Sequence, residues 1–465
     1  MSIICFTKKL TPLSCNHQND NKESAMYNEQ QKKAKQSMQV KFAQYVGRFK
    51  ELVYLPEYNF INDMCLGMLK TNSVICNRIA GALNEKITVK KVCERFTRHL
   101  NKASLGETIR RTVIATQCRY FDQHTAIIVD DSDIVKSRAT KMEGLKKVRD
   151  GSTGNHDQLG YDLLNIISCQ SGSQGYDIKP LSSDLLAMGI EQDSLIQITE
   201  DRLVDISLAS NNKGVYVFDR GYDRRSMFSI VRRHGLNYII RSVGNRGLVV
   251  NGEEHSFLEV AKSMKLDYHY KPDKSKQHLN CSIKRVSIRL NPHPVKHPDT
   301  VETWLIVARY SQDERGRKGF FYLFCDFPSQ PDLTLTEIIY KALNMYKIRW
   351  KIEEVHRHIK QTYGWEQIQL TSYTRLQNMN QLLLLAMCYL YSLKRYAITY
   401  LQAFPAIMKY TNRSWKNIYG FVYYRLSVLI ESCFSSVSRF NIQPFKGKWL
   451  ENQQLIIPCL KNGGM

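Results

Sequence analysis

From about Val40 to Ala103 apolar residues recur at helical spacing, three and four apart, and then the period changes. TAIIVDD (Thr125–Asp131) is a continuous apolar run ending in carboxylates, the pattern of a buried strand. YDLLNIIS (Tyr161–Ser168) and the stretch around Tyr176–Ser182 supply two further strands. GVYVFDRGYD (Gly214–Asp223) supplies a fourth, again ending in an acid, Asp219. A helix is predicted from about Arg224 to His234, followed by the strand NYIIRSV (Asn237–Val243). This order of strands and helices predicts an α/β fold with a mixed sheet. Between 244 and 328 alternating segments around Val286–Leu290, Trp304–Tyr310 and Phe320–Phe327 predict a β-rich insertion subdomain. From Thr334 the pattern is helical, and the tail beyond Lys446 is irregular.

Six segments result: a disordered basic leader (1–38, with Met26 and Met38 as alternative starts), a helical domain (39–120), a first part of the core (121–243), the insertion (244–328), a second part of the core (329–372) and a helical C-terminal region (373–465). In the helical domain, Ser73–Lys102 reads as two helices joined around Asn84–Thr88, with Thr88 as N-cap. The second helix carries Lys90, Lys91, Arg95, Arg98 and Lys102. That is the layout of a DNA-binding helix-turn-helix, and equally of a small bundle with a charged outer face.

Composition narrows the class. The 465 residues include 66 Lys+Arg against 43 Asp+Glu, a formal charge of +23 that calls for a polyanionic partner such as nucleic acid. The longest apolar stretch, Gln381–Leu393, is too short to span a bilayer, so no membrane partner is expected. The 12 cysteines show no CxxC pair and no zinc-ligand spacing, which suits reduced thiols in a cytosol, and structural zinc is not expected. No glycine-rich phosphate loop is present, so nucleotide hydrolysis is not indicated.

Four residues on one predicted helix carry the chemistry: Tyr346, Arg349, Glu353 and Lys360. At about 100° per residue they share a stripe roughly 60° wide. A carboxylate among a phenol, a guanidinium and an ammonium suits a metal-dependent enzyme acting on a phosphodiester; a solvated face with an Arg349–Glu353 pair is the plain alternative. Asp130 and Asp219 each end an apolar strand, where open α/β sheets bind ligands. With Glu353 they form three acids that repel one another unless divalent cations intervene; oxygen donors favour Mg²⁺ or Mn²⁺, and two such ions would serve an in-line displacement. Taken singly, each Asp also fits a strand-end turn or a helix N-cap.

The run MYKIRWKIEEVHRHIK (Met345–Lys360), with Tyr346, Arg349, Glu353 and Lys360 at spacings of three, four and seven, resembles the YREK signature of bacterial cut-and-paste DDE transposases of the insertion-sequence-four group. VDDSDI (Val129–Ile134) resembles that family's first-aspartate strand and VFDRGYD (Val217–Asp223) its second, in the right order. The resemblance covers about residues 125–395. It implies an RNase H-like core in which Asp130, Asp219 and Glu353 are the catalytic, metal-binding triad for two Mg²⁺ (or Mn²⁺) ions, with Asp131 as the fallback for the first acid. Tyr346, Arg349 and Lys360 would hold the transposon-end backbone, with Lys90, Lys91 and Arg95 contacting DNA from the N-terminal domain. It further implies cleavage at terminal inverted repeats, a hairpin intermediate, joining to target DNA, a homodimeric synaptic complex, and a cytoplasmic, nucleoid-associated protein in a bacterium.

One position departs. The family's Trp on the last insertion strand, which stacks a flipped base, falls on Phe321, which keeps a π-face without an indole N–H; an ordinary core aromatic is the other reading. His356 and His358 are two apart and face different sides of a helix, with a surface position expected for His356. The rivals are a domesticated DNA-binding protein without catalysis and a two-metal nuclease without strand transfer.

Overall fold

The computed structural model describes residues 17–136, 138–148, 157–172, 175–189, 194–271, 278–290, 299–310, 319–405, 407 and 421–437, with side chains from residue 28 onward and not at 310. The expected irregular tail beyond Lys446 lies outside them.

Twelve strands among the described residues form one mixed sheet. The first six are β1 (Ala126–Val135), β2 (Lys146–Val148), β3 (Gln158–Gly172), β4 (Gly175–Leu186), β5 (Val215–Phe218) and β6 (Tyr238–Arg241). β4, β3 and β1 are antiparallel neighbours, whereas β5 runs parallel to β1 and β6 parallel to β5. Ala126–Val129 and Val215–Phe218 are buried throughout, as strands covered on both faces must be. The pleat divides their side chains between two cores. Ala126 and Ile128 face one, Ile127 and Val129 the other.

The insertion does not form a sheet of its own. Its strands are β7 (Gly247–Val250), β8 (Glu253–Ser256), β9 (Tyr268–Tyr270), β10 (Leu279–Arg289), β11 (Thr300–Tyr310) and β12 (Phe320–Asp326). β12 pairs antiparallel with β6 from Leu323↔Arg241 to Asp326↔Tyr238, and β11, β10, β7 and β8 follow in order. The expected subdomain is therefore a continuation of the central sheet. The alternation Leu323, Cys325 inward and Tyr322, Phe324 to the opposite core keeps both faces apolar across the junction.

Helices α1 (His17–Gly47), α2 (Leu55–Thr71), α3 (Cys76–Ala82), α4 (Val89–Leu100) and α5 (Ala103–Cys118) precede the sheet, and α6 (Leu195–Ser210), α7 (Arg225–Arg233) and α8 (Phe257–Ser263) fill the core on one face. On the other lie α9 (Leu335–Lys347), α10 (Lys351–Arg357), α11 (Tyr373–Ser392), α12 (Ala397–Ala403) and α13 (Tyr423–Phe434). α11 is buried nearly all round, as its apolar run predicts, and it joins the N-terminal helices to the sheet. Asn378 Nδ2 donates to Leu100 O and Lys102 O, both at 2.8 Å, while Gln381 Nε2 donates to Ser183 O at 2.6 Å. Gly106 on α5 makes this approach possible, because a Cβ there would stand 2.7 Å from Asn378 Oδ1.

Of the expected disordered leader, residues 1–16 lie outside the described residues, and 17–38 are helical instead. α1 begins at His17, and Ala34 and Met38 extend the buried stripe of Phe42 and Val46. Tyr389 donates its hydroxyl to Met38 O at 2.6 Å, and Phe42 meets Tyr389 edge-on at 5.2 Å. Tertiary packing thus fixes a segment too polar to fold by itself.

Candidate active site at the strand ends

Val129 of β1 lies opposite Phe218 of β5 in a parallel pair; Asp219 follows the end of β5, whereas Asp130 sits beside it within β1, which runs on to Val135 against β3, so the expectation that Asp130 ends its strand is corrected. By pleat parity Asp130 points to the face covered by α9–α11, and its side chain is only 16% exposed. Asp219 caps the short 3₁₀ turn Arg220–Tyr222 through its own carboxylate. This turn needs an acceptor at its start, so the strand-end and N-cap roles coincide in one residue. Asp223, the second acid of the motif, is taken up by Ser242 Oγ at 2.8 Å, Val243 N at 2.9 Å and Arg246.

The stretch carrying Tyr346, Arg349, Glu353 and Lys360 is not one regular α-helix. Tyr346 lies in the last turn of α9, and the chain then tightens into i→i−3 bonds: Arg349 N to Tyr346 O at 3.0 Å, Ile352 N to Arg349 O at 3.2 Å and Glu353 N to Trp350 O at 3.1 Å. In such winding residues three apart eclipse, so Tyr346 and Arg349 stack on one side while Ile348 and Ile352 still reach the core. Beyond α10 the chain loosens instead into a π-turn, His358–Thr362, which carries Lys360. A tight turn, one short helix and a wide turn replace the straight stripe.

The consequence is a single guanidinium among three acids. Arg349 Nη1 lies 3.4 Å from Asp130 Oδ2 and 3.6 Å from Asp219 Oδ2, and Nη2 lies 2.7 Å from Glu353 Oε1. Burial pushes the Asp130 carboxyl up to about 7; Arg349 pulls it down, and Asp131, Asp219 and Glu353 push it further up. Tyr346 is also raised by burial, with Arg241 and Arg349 acting against the shift. Lys360 pairs elsewhere, with Asp133 farther along β1 at 3.2 Å and with Glu366 of the turn Trp365–Gln367 at 3.9 Å. Asp131, by the same pleat, turns to the opposite face beside Tyr222 and Arg224.

The donors around Arg349 are carboxylate oxygens alone, which suits a hard divalent cation. Among the described residues, however, no three acid, histidine or cysteine groups stand close enough to hold an ion together. The acids are spaced around a guanidinium.

Several predicted positions change. Phe321 is 9% exposed and turned into the core beside Leu323; the exposed ring at this edge is its neighbour Phe320, at 51%, with Arg309 5.3 Å above it. His356 is buried rather than on the surface, and burial, aided by Lys360 and Arg349, lowers its pKa to about 3. His358 is held between the hydroxyls of Tyr391 and Ser427, both at 3.0 Å, so the two histidines do face different surroundings. In the N-terminal domain Thr88 caps α4 by accepting from Lys91 N at 3.4 Å, as predicted. Arg95 is consumed by Glu85 and, at 3.3 Å, Asp63, which anchors α4 to the loop before it and to α2. Lys90 and Lys91 are exposed, Lys90 on an open groove with Asn77, Thr97 and Arg98.

Arg241 escaped the sequence reading. It ends β6 on the face of Asp130 and stands by Tyr346. The signal was there: a charged residue directly after an apolar strand, as for the two aspartates.

No helix among the described residues is long and apolar enough to cross a membrane. No curated protein matches the chain. The family model for the transposase DDE domain matches residues 123–391, from just before β1 to the end of α11 and over more than half of the sequence, and the chain belongs to that family.

Proposed function

We propose that this DDE transposase is a cut-and-paste enzyme of the insertion-sequence-four type, which cleaves transposon ends and joins them to target DNA. One observation carries the reading: Asp130, Asp219 and Glu353, from three separate segments, all contact one guanidinium beside the end of β5. The strand order β4-β3-β1-β5-β6, antiparallel then parallel, fits an RNase H-like core. The carboxylates would hold two Mg²⁺ or Mn²⁺ ions, as DDE transposases use divalent metals; when bound, such ions supply Lewis acidity for a water or 3′-hydroxyl attack and for the leaving oxygen.

The chain's own residues supply the positioning. Arg349 offers a planar fork of donors that fits a phosphate as well as a carboxylate, Tyr346 packs behind it, and Lys360 reaches past the acids along β1. Arg241 adds a second guanidinium beside Tyr346. The apolar cover over Asp130 limits water around the reacting phosphate. Lys90, Lys91 and Arg98 form the free basic surface for inverted-repeat DNA, and the formal +23 supports a backbone-dominated grip. A homodimeric synaptic complex and a hairpin intermediate belong to the same reading.

Glu353→Gln tests it. Cleavage of DNA from the flanks of the gene, in Mg²⁺, should vanish while end binding changes less than twofold. Cleavage at the wild-type rate would remove Glu353 from the mechanism. A nuclease without strand transfer would cut that DNA yet never join it to a target plasmid.

A further inference from the structure

Arg349 makes contacts of two kinds that pull against each other. Its position beside Tyr346 and Arg241, at the edge where a phosphodiester must approach, suits an anion. Yet its guanidinium spends its donors on Asp130, Asp219 and Glu353, at 3.4, 3.6 and 2.7 Å. These are the oxygens a divalent cation would use. A guanidinium is planar and reaches outward in several directions, so it spreads its partners; a divalent ion needs oxygens drawn in to about 2.0–2.6 Å. The acids have the first arrangement, since no three of them converge tightly enough to share an ion among the described residues. Lys360 repeats the pattern, with its ammonium on Asp133 and Glu366.

We infer that Arg349 and the divalent cation compete for the same three carboxylates, so that Arg349 is a built-in counter-ion which must move to phosphate before the acids can close on metal. The inference rests on the proposed role of those acids. Its physical basis is charge. Three carboxylates with one guanidinium leave an excess of negative charge that would favour a divalent ion, and Arg349, meeting like charge there, would turn to the nearest anion, the DNA backbone. Metal and DNA are thereby linked, and linkage is reciprocal: whatever factor DNA adds to metal affinity, metal adds to DNA affinity. A residue that merely glues the acids together would give the opposite sign, because its loss would leave metal binding unchanged or weaker.

The test is Mn²⁺ binding to the full chain without DNA, read from the electron paramagnetic resonance signal of the free ion. Arg349→Gln should bind Mn²⁺ about tenfold more tightly than wild type, within the usual range of coupling factors, and the gain should disappear in Arg349→Gln with Glu353→Gln. Arg349→Lys keeps one positive charge for folding but cannot reach three acids at once, so it should fall between the two. Its melting temperature should also rise more on Mn²⁺ addition than that of wild type. If both folded variants bind Mn²⁺ no more tightly than wild type, while Glu353→Gln weakens wild-type binding, the competition is overturned and the site assignment stands. If Glu353→Gln alters Mn²⁺ binding in none of them, both fall together.

Discussion

Asp130→Asn should stabilise the protein in proportion to pH. Asp130 is largely buried, and burial with three neighbouring acids holds its carboxyl near 7 in the folded chain, above its ordinary value of 3.8. An acid whose folded pKa is raised binds more protons folded than unfolded between those two values, so stability falls as pH climbs through them. The loss begins near pH 4 and is complete above about pH 7, with a slope approaching 1.4 kcal/mol per pH unit and a ceiling of about 4 kcal/mol. Asparagine keeps the shape and never ionises, so it escapes this cost. Urea unfolding with EDTA at pH 4.5, 6, 7 and 8 measures the difference. The variant's lead should be only about 1 kcal/mol at pH 4.5 and should grow to about 4 kcal/mol at pH 8. A difference that is flat across this range, or that favours wild type at pH 8, would refute the account of Asp130 as a strained acid.

Three further outcomes are expected. Arg95→Ala should cost about 3 kcal/mol of stability, since it strands Asp63 and Glu85 in the helical domain; a variant with wild-type stability and weakened DNA binding would restore Arg95 to the DNA surface. Lys90→Ala and Lys91→Ala should leave the urea midpoint unchanged and each reduce the log–log salt slope of DNA binding by about 0.9; an unchanged slope would remove them from the contact. Lys136, buried beyond the end of β1, donates to Trp365 O, Glu366 O and Ile368 O at 3.1, 2.9 and 3.0 Å, and burial lowers its pKa to about 8. Lys136→Met should cost about 2–4 kcal/mol by leaving those carbonyls unpaired, seen as a lower urea midpoint at pH 7, and equal stability would show that water replaces the ammonium.

Much of this arrangement was legible from local pattern. Apolar runs reaching an aspartate gave β5 and the first half of β1 because strands buried on both faces leave little else for the sequence to say, while the partly exposed Asp131–Val135 continuation of β1 carries no such run. The spacing of Arg349 and Glu353 gave their ion pair because helix-like winding puts such residues in reach, whatever its exact pitch. The winding itself was not legible: Tyr346–Glu353 and His358–Thr362 depart from 3.6 residues per turn through contacts with the sheet, which no periodicity records. Arg95 and Phe321 were each open to two readings for one reason. A basic residue or an aromatic looks the same in sequence whether it faces solvent or a neighbouring element, and Glu85, Asp63 and Leu323 decide it only after folding. The extent of α1 was missed because the helix is anchored at Met38 and Phe42 by Tyr389, some 350 positions away, which no local pattern records.

The unbroken pairing of β12 onto β6 sets how this protein can be edited and how it can move. Excising 244–328 would not trim an accessory lobe; it would strip β6 of its neighbour and bare a row of amide and carbonyl groups, an invitation to aggregate. For the same reason Leu323–Asp326 cannot swing away from β6 as a hinged flap: they keep station with the core, while Phe320 and Arg309 overhang as a paired tip beyond that ladder.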